Sequence, residues 1–119
     1  IQIDPNVDLN TKLPKMLLQI HVENAIKHGL MHKKAGGILK IHISKDDNNL
    51  VCVIEDNGVG LQESKKYLGN NTGKGLEIAQ QTIELYKKIH KTEIYQEIID
   101  LSKKDTFLNG VKVEIHILI

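Results

Sequence analysis

Three short stretches of this chain put residues able to do chemistry at the edges of regular structure. In "HVENAIKHG", residues 21–29, His21, Asn24 and His28 share one helical stripe at i, i+3 and i+7, with Glu23 and Lys27 beside it. Such a stripe could ligate a metal. "EDNGVG", residues 55–60, ends a predicted strand in the carboxylate of Asp56 and follows it with Gly58 and Gly60, where a ligand can approach bare backbone. "GNNTGKGLEIAQQ", residues 69–81, leads Gly73, Lys74 and Gly75 into a helix whose free N–H groups and dipole favour an anion. A Walker loop would need four residues between its first glycine and the Gly-Lys pair, then Ser or Thr; here Gly69 and Gly73 enclose three, and Gly75 follows Lys74. Taken singly, these are also a solvated stripe, a turn and a helix cap. Their order and spacing together are more specific.

The elements that must hold them follow from the hydrophobic pattern. "IQID" alternates as a short edge strand, and "PNVDLNT" carries turn residues. Pro14 suits the first turn of a helix that runs to Gly29, with Leu18, Val22, Ala25 and Ile26 as its packed stripe and Gln19, Glu23 and Lys27 along another. "ILKIHIS" alternates with Leu39, Ile41 and Ile43 on one face, "DDNN" turns, and "LVCVIED" returns as the second strand of a hairpin. Residues 57–74 have no sustained period and read as a long mobile loop, of a length that belongs either to functional lids or to disordered segments. A second helix starts at about Gly75, carried by Leu76, Ile78, Ala79, Ile83 and Leu85, and ends near His90. "TEIYQEIIDLS" and "VKVEIHILI" are two more strands, the latter with Val111, Val113, Ile115, Ile117 and Ile119 inward. The fold this predicts is a two-layer α/β sandwich, with a mostly antiparallel sheet covered on one face by helices.

Composition narrows the function. With 119 residues and 40% apolar content the chain suits one domain over 1–119. Sixteen basic against fifteen acidic residues leave a charge of +1, so there is no general electrostatic case for nucleic acid or an anionic membrane, and any anion site must be local. The one cysteine, Cys52, lies in the apolar run "LVCVI" and reads as core in a reducing compartment. No apolar run approaches the roughly 18 residues of a membrane span. Starting mid-pattern and without Met, the chain reads as a piece of a longer protein, located in the cytoplasm.

The three stretches in this order resemble the ATP-binding Bergerat (GHKL) fold of sensor histidine kinases, type II topoisomerases, heat-shock chaperones and mismatch-repair ATPases. "HVENAIKHG" looks like its N box, "DNGVG" like its G1 box and "GKGL" like its G2 box. "LPKMLLQIHVENAIKHGL" looks most like the LytS-type histidine kinases, whose N box is typically P-x-x-L-Q-x-x-V-E-N-A-x-K-H-G. The resemblance covers nearly the whole chain and implies ATP and Mg²⁺ as ligands. It assigns Asp56 to the adenine amino group, Gly58 and Gly60 to room for the base and lid, and Asn24 to Mg²⁺. Lys27 and His28, one turn on, are directed at the phosphates; Asn24, Lys27 and His28 are then the catalytic group. Gly73, Lys74, Gly75 and Leu76 form the phosphate-binding turn, and residues 61–72 the lid, with Lys65 and Lys66 as further phosphate contacts.

One departure bears on mechanism. Hydrolytic members of the fold carry a carboxylate four residues before the metal-binding Asn, and here Ile20 stands there. Glu23 points about 100° away round the helix and is a doubtful substitute. The resemblance therefore implies phosphoryl transfer to a histidine on a separate dimerisation domain, with a response regulator downstream and this piece alone monomeric. No segment resembles the acceptor motif, and His21, His32, His42, His90 and His116 read as surface or strand residues. The rival readings are an ATPase clamp, an interaction module that has lost its nucleotide, and, with no cysteine pairs or HExxH, a remote zinc protein.

Overall fold

The computed structural model describes residues 1–11, 13–32, 36–59, 72–101 and 109–118. Five strands form one sheet in the order β1-β2-β3-β5-β4: β1 (Gln2–Ile3), β2 (Leu39–Asp46), β3 (Asn49–Asp56), β4 (Ile94–Asp100) and β5 (Val111–Leu118). Only β1 runs parallel to its neighbour; the other pairs are antiparallel. The mixed, mostly antiparallel sheet predicted from the strand alternation is what forms.

The hairpin of β2 and β3 closes at Asp47, whose φ of 49° is a left-handed conformation that a short polar side chain tolerates. Alternation along the strands sends one set of residues inward. Ile43, Cys52, Ile115 and Gln96 form one cross-strand row, and Lys45, Leu50, Ile117 and Ile94 another, with Leu50, Ile94, Cys52 and Ile115 essentially sealed from solvent. The outward rows are polar, as in Lys40, Glu55 and Lys112, and Tyr95 stacks flat on His116 with ring centres 4.6 Å apart. One face is therefore covered and the other wet.

Two helices cover the inner face. Helix α1 (Lys15–Asn24) begins just after Pro14, whose carbonyl accepts from the N–H groups of Leu17 and Leu18, one residue later than the sequence pattern suggests. Its buried stripe is Leu17 and His21, continued by Ala25 in the next turn; Leu18 and Val22 flank it, and Ile26 is exposed. The packed face is thus rotated from the predicted Leu18, Val22, Ala25 and Ile26 stripe. Helix α2 (Thr72–His90) buries Ala79 and Ile83 and ends where Lys91 takes a φ of 50°, after Lys87 and Lys88 have placed positive charge at the negative end of the dipole. It begins three residues before Gly75, so the two glycines lie in its first turn and not ahead of it.

Leu17, Ala79 and Ile83 meet Ile43, Leu50, Cys52, Ile54, Ile94, Val113, Ile115 and Ile117 in one core. Ile119 falls outside the described residues. The Cys52 thiol, sealed in that core, is pushed up by burial to about 11, and stays protonated as a small apolar packer.

Candidate functional site

Helix α1 does not run straight to Gly29. After Asn24 the chain widens into a π-helical turn over Ala25–Gly29, in which the Leu30 N–H reaches back to the carbonyls of Ala25 and Ile26, and a 3₁₀ turn over Leu30–His32 follows. Such widened turns are rare and cluster at functional sites. Here the turn begins immediately after Asn24 and carries Lys27, which is exposed, while Asn24 is partly exposed. The assumption that Lys27 and His28 sit one α-helical turn beyond Asn24 is corrected accordingly, and the side chain of His28 lies outside the description.

Asp56, the last residue of β3, is 4% exposed. A carboxylate so enclosed must be held by donors. Its Oδ1 accepts the Gly58 N–H at 2.8 Å, closing a tight turn of the kind aspartate favours. The next residue, Asn57, stitches that turn to the segment before β2: its N–H donates to the Ile38 carbonyl, its Oδ1 accepts the Ile38 N–H at 2.7 Å, and its Nδ2 donates to the Gly36 carbonyl at 2.9 Å. The Val59 N–H donates to the Gly29 carbonyl.

Three glycines make this closeness possible. A Cβ on Gly29 would stand 2.8 Å from the Asp56 Oδ1, and one on Gly58 would stand 2.4 Å from the Gly29 carbonyl carbon. Gly110, with a φ of +121°, presses against the Asp56 carbonyl so closely that a Cβ would lie 1.9 Å from its oxygen. The turn that follows α1, the exit of β3 and the entry to β5 are thereby packed closely about Asp56, Gly29 on its carboxylate and Gly110 on its backbone carbonyl.

Of the residues the sequence singles out, the structure brings Asp56 and Gly58 together with the turn that follows Asn24. It adds Gly29 and Gly110, which the sequence offers only as a helix stop and a turn residue. Gly58 serves here against Gly29, a different use from the room for a ligand first expected of it. Gly73, Lys74 and Gly75 lie in the first turn of α2, where the leading N–H groups have no acceptor within their own helix, and Leu76 follows at the start of the next turn. Gly60, and residues 61–71 of the expected lid, lie outside the described residues.

His21 is corrected outright. It is neither a surface residue nor part of a metal-binding stripe, being 2% exposed with its Nε2 2.7 Å from the Gln96 Oε1. Burial lowers its pKa, against the smaller opposing effect of that hydrogen bond, so it is neutral. Among the described residues no three of His, Cys, Asp and Glu converge to hold a metal ion. The stripe beside it is committed elsewhere: Gln19 Nε2 donates to Glu23 Oε1 at 3.1 Å on the exposed face, and Ile20 packs against the core.

Comparison with known proteins gives a consistent result. A family model described as "Histidine kinase-, DNA gyrase B-, and HSP90-like ATPase" matches residues 10–117. The sensor protein LytS of Oceanobacillus iheyensis is 43% identical over 81 residues, which are 63% of this chain and 14% of that protein. The sensor histidine kinase/phosphatase LytS of Staphylococcus aureus is 36% identical over 64 residues, 53% of this chain and 11% of that one. The chain therefore spans well under a quarter of the length of either relative. Among solved structures, the histidine kinase domain of the Erythrobacter litoralis blue-light activated histidine kinase superposes with a TM-score of 0.63 at 19% identity, covering 98% of this chain and 52% of that one. The catalytic domain of histidine kinase ThkA gives 0.56 at 20% identity, covering 98% and 74%. The predicted sandwich and the Bergerat fold are the same architecture.

Proposed function

The chain belongs to the histidine kinase-, DNA gyrase B- and HSP90-like ATPase family, and from that premise we propose that it is the ATP-binding catalytic domain of a LytS-type sensor histidine kinase. The observation that carries the reading is Asp56: a carboxylate 4% exposed at the end of a strand, its Oδ1 holding the Gly58 N–H in the turn that follows. A buried acceptor of that kind suits the exocyclic amino group of adenine, which an apolar side chain could not recognise.

The other roles follow from chemistry. Mg²⁺, when bound, would neutralise phosphate charge; the Asn24 side-chain oxygen would hold it, as a hard ligand for an ion that keeps several waters and bridges phosphates. Lys27 and His28 supply positive charge or hydrogen bonds on the widened turn, and the stretch Gly73, Lys74, Gly75 and Leu76 brings the free N–H groups of the first turn of α2 to the triphosphate. With the nucleotide so oriented, transfer depends on positioning and charge neutralisation.

The acceptor in this reading is a histidine on an upstream dimerisation domain, with a response regulator as the next partner. Ile20, apolar and packed on the core, stands four residues before Asn24 and offers no base to water, and Glu23 lies on the exposed face beside Gln19, which favours transfer over hydrolysis. The chain alone should therefore turn over ATP negligibly and take up no acid-labile phosphate from γ-labelled ATP. Label on histidine should appear only when a helical acceptor domain is supplied; label on the isolated chain would overturn this division of labour. No helix among the described residues is long and apolar enough to cross a membrane, and we place the domain on the cytoplasmic side, where ATP is.

Calorimetric titration with a non-hydrolysable ATP analogue tests the pocket. Asp56→Asn should weaken binding about tenfold or more, the scale of one hydrogen bond to a charged group. Asn24→Ala should weaken it chiefly when Mg²⁺ is present. Equal affinities for wild type and Asp56→Asn would dismiss the assignment.

A further inference from the structure

The inner row through Ile43, Cys52 and Ile115 is apolar until it reaches β4, where Gln96 takes the place. Its half-buried amide lies beside the sealed Ile115 and needs a partner from the helix layer or from water. His21, on the buried stripe of α1, provides one: with the amide oxygen as acceptor, Nε2 carries the proton and donates across 2.7 Å. Nδ1 is then left buried with no partner among the described residues. For stability alone this is a poor arrangement, since an apolar pair of similar volume would satisfy every atom. What it supplies is direction. Apolar packing already places the helix on the sheet, and a short hydrogen bond adds a directional constraint on its rotation and axial position.

That rotation matters for the residues that follow. Asn24 lies three positions beyond His21, where side chains on a helix come round to neighbouring faces. The widened turn bearing Lys27 starts at the next residue. We propose that His21 and Gln96 are positioning residues, whose cross-layer hydrogen bond sets the rotation of α1 and so aims Asn24 and Lys27 at the metal and phosphate end of the nucleotide. The inference rests on the nucleotide reading above and deepens it by assigning two residues that touch no ligand. The adenine end is held by Asp56 on β3, which is hydrogen-bonded to β2 and β5 and not to the strand that carries Gln96. The two ends of the site should therefore respond differently when it is removed.

The experiment is a double-mutant cycle of His21→Leu and Gln96→Leu in the 119-residue chain, titrated with the ATP analogue in MgCl₂ and separately in EDTA, with melting temperatures alongside. Each single variant, and the double, should lose roughly fivefold in the presence of Mg²⁺, a modest effect for a misaimed group, with no further loss in the double because one bond is removed in all three. Affinity in EDTA should stay at the wild-type value, and the double should melt no lower than wild type. Full Mg²⁺-dependent affinity in both single variants would overturn the proposal, as would independent losses that multiply in the double. Losses equal in EDTA and MgCl₂, or tracking a lowered melting temperature, would reduce the pair to ordinary structure and overturn it too. A wild type that binds in neither buffer would overturn the nucleotide reading, and this inference with it.

Discussion

Gly110→Ala should cost about 3 kcal/mol or more of stability and lower the melting temperature by roughly 10 °C or more, read by calorimetry or circular dichroism. Two effects add. At a φ of +121° an alanine is strained wherever it stands, and here its Cβ would also lie 1.9 Å from the Asp56 carbonyl oxygen and 3.0 Å from the Asn57 Cα. Those atoms are backbone, at the end of β3, and cannot turn aside as a flexible side chain would. Gly36→Ala separates the terms, since its φ is also positive, at +72°, but nothing stands within 4 Å of the added methyl. It should cost only about 1 kcal/mol. If the two alanines cost the same, the closeness of the β5 entry to Asp56 carries no energy and the clamp described above is wrong.

Gly58→Ala should be milder in stability and severe in binding. Its added methyl would meet the Gly29 carbonyl carbon at 2.4 Å and the Gly29 Cα at 2.5 Å. Relief requires the turn after β3 to swing outward or the turn after α1 to retreat. The first breaks the 2.8 Å bond from the Gly58 N–H to Asp56, and the second moves the segment that carries Lys27. Either way the two halves of the site lose their mutual placement, so affinity for the ATP analogue should fall about a hundredfold or more, on the scale of misplaced binding groups. The variant should still melt cooperatively, because Gly58 lies outside the main core. A Gly58→Ala chain with wild-type affinity would show that the contact is dispensable.

Strand order aside, most of the fold could be read directly. The alternation of Val113, Ile115 and Ile117 is clean, the "DDNN" turn sits between two apolar runs, and both fix strands without outside help. Helix α1 was harder. Leu17, Leu18, Ile20 and Val22 are all apolar, so several stripes fit equally well, and the one that packs meets strands far along the chain, where His21 finds Gln96. No local pattern carries that information, and by spacing alone His21 reads as part of an exposed stripe with Asn24 and His28. The start of α2 was set late because Gly73 and Gly75 are weak helix formers and read as loop. At the site, Asp56 and Gly58 were legible because a carboxylate and a bare backbone at a strand end are unusual locally. Gly29 and Gly110 were not, since each is spaced for contact with another segment and looks alone like ordinary punctuation.

The packing of Gly29, Gly58 and Gly110 about the Asp56 turn also ties recognition to the state of the whole chain. The three glycines come from the first helical segment, the turn after the middle hairpin and the approach to the last strand, so their contacts close only when sequence-distant parts have docked. A partly folded chain has the residues of the pocket but not the pocket. Nucleotide then acts as a thermodynamic weight on complete folding, contributing about 2.7 kcal/mol at a hundredfold excess over its dissociation constant. In a cell where nucleotide is abundant, the folded population is sustained in part by the ligand itself.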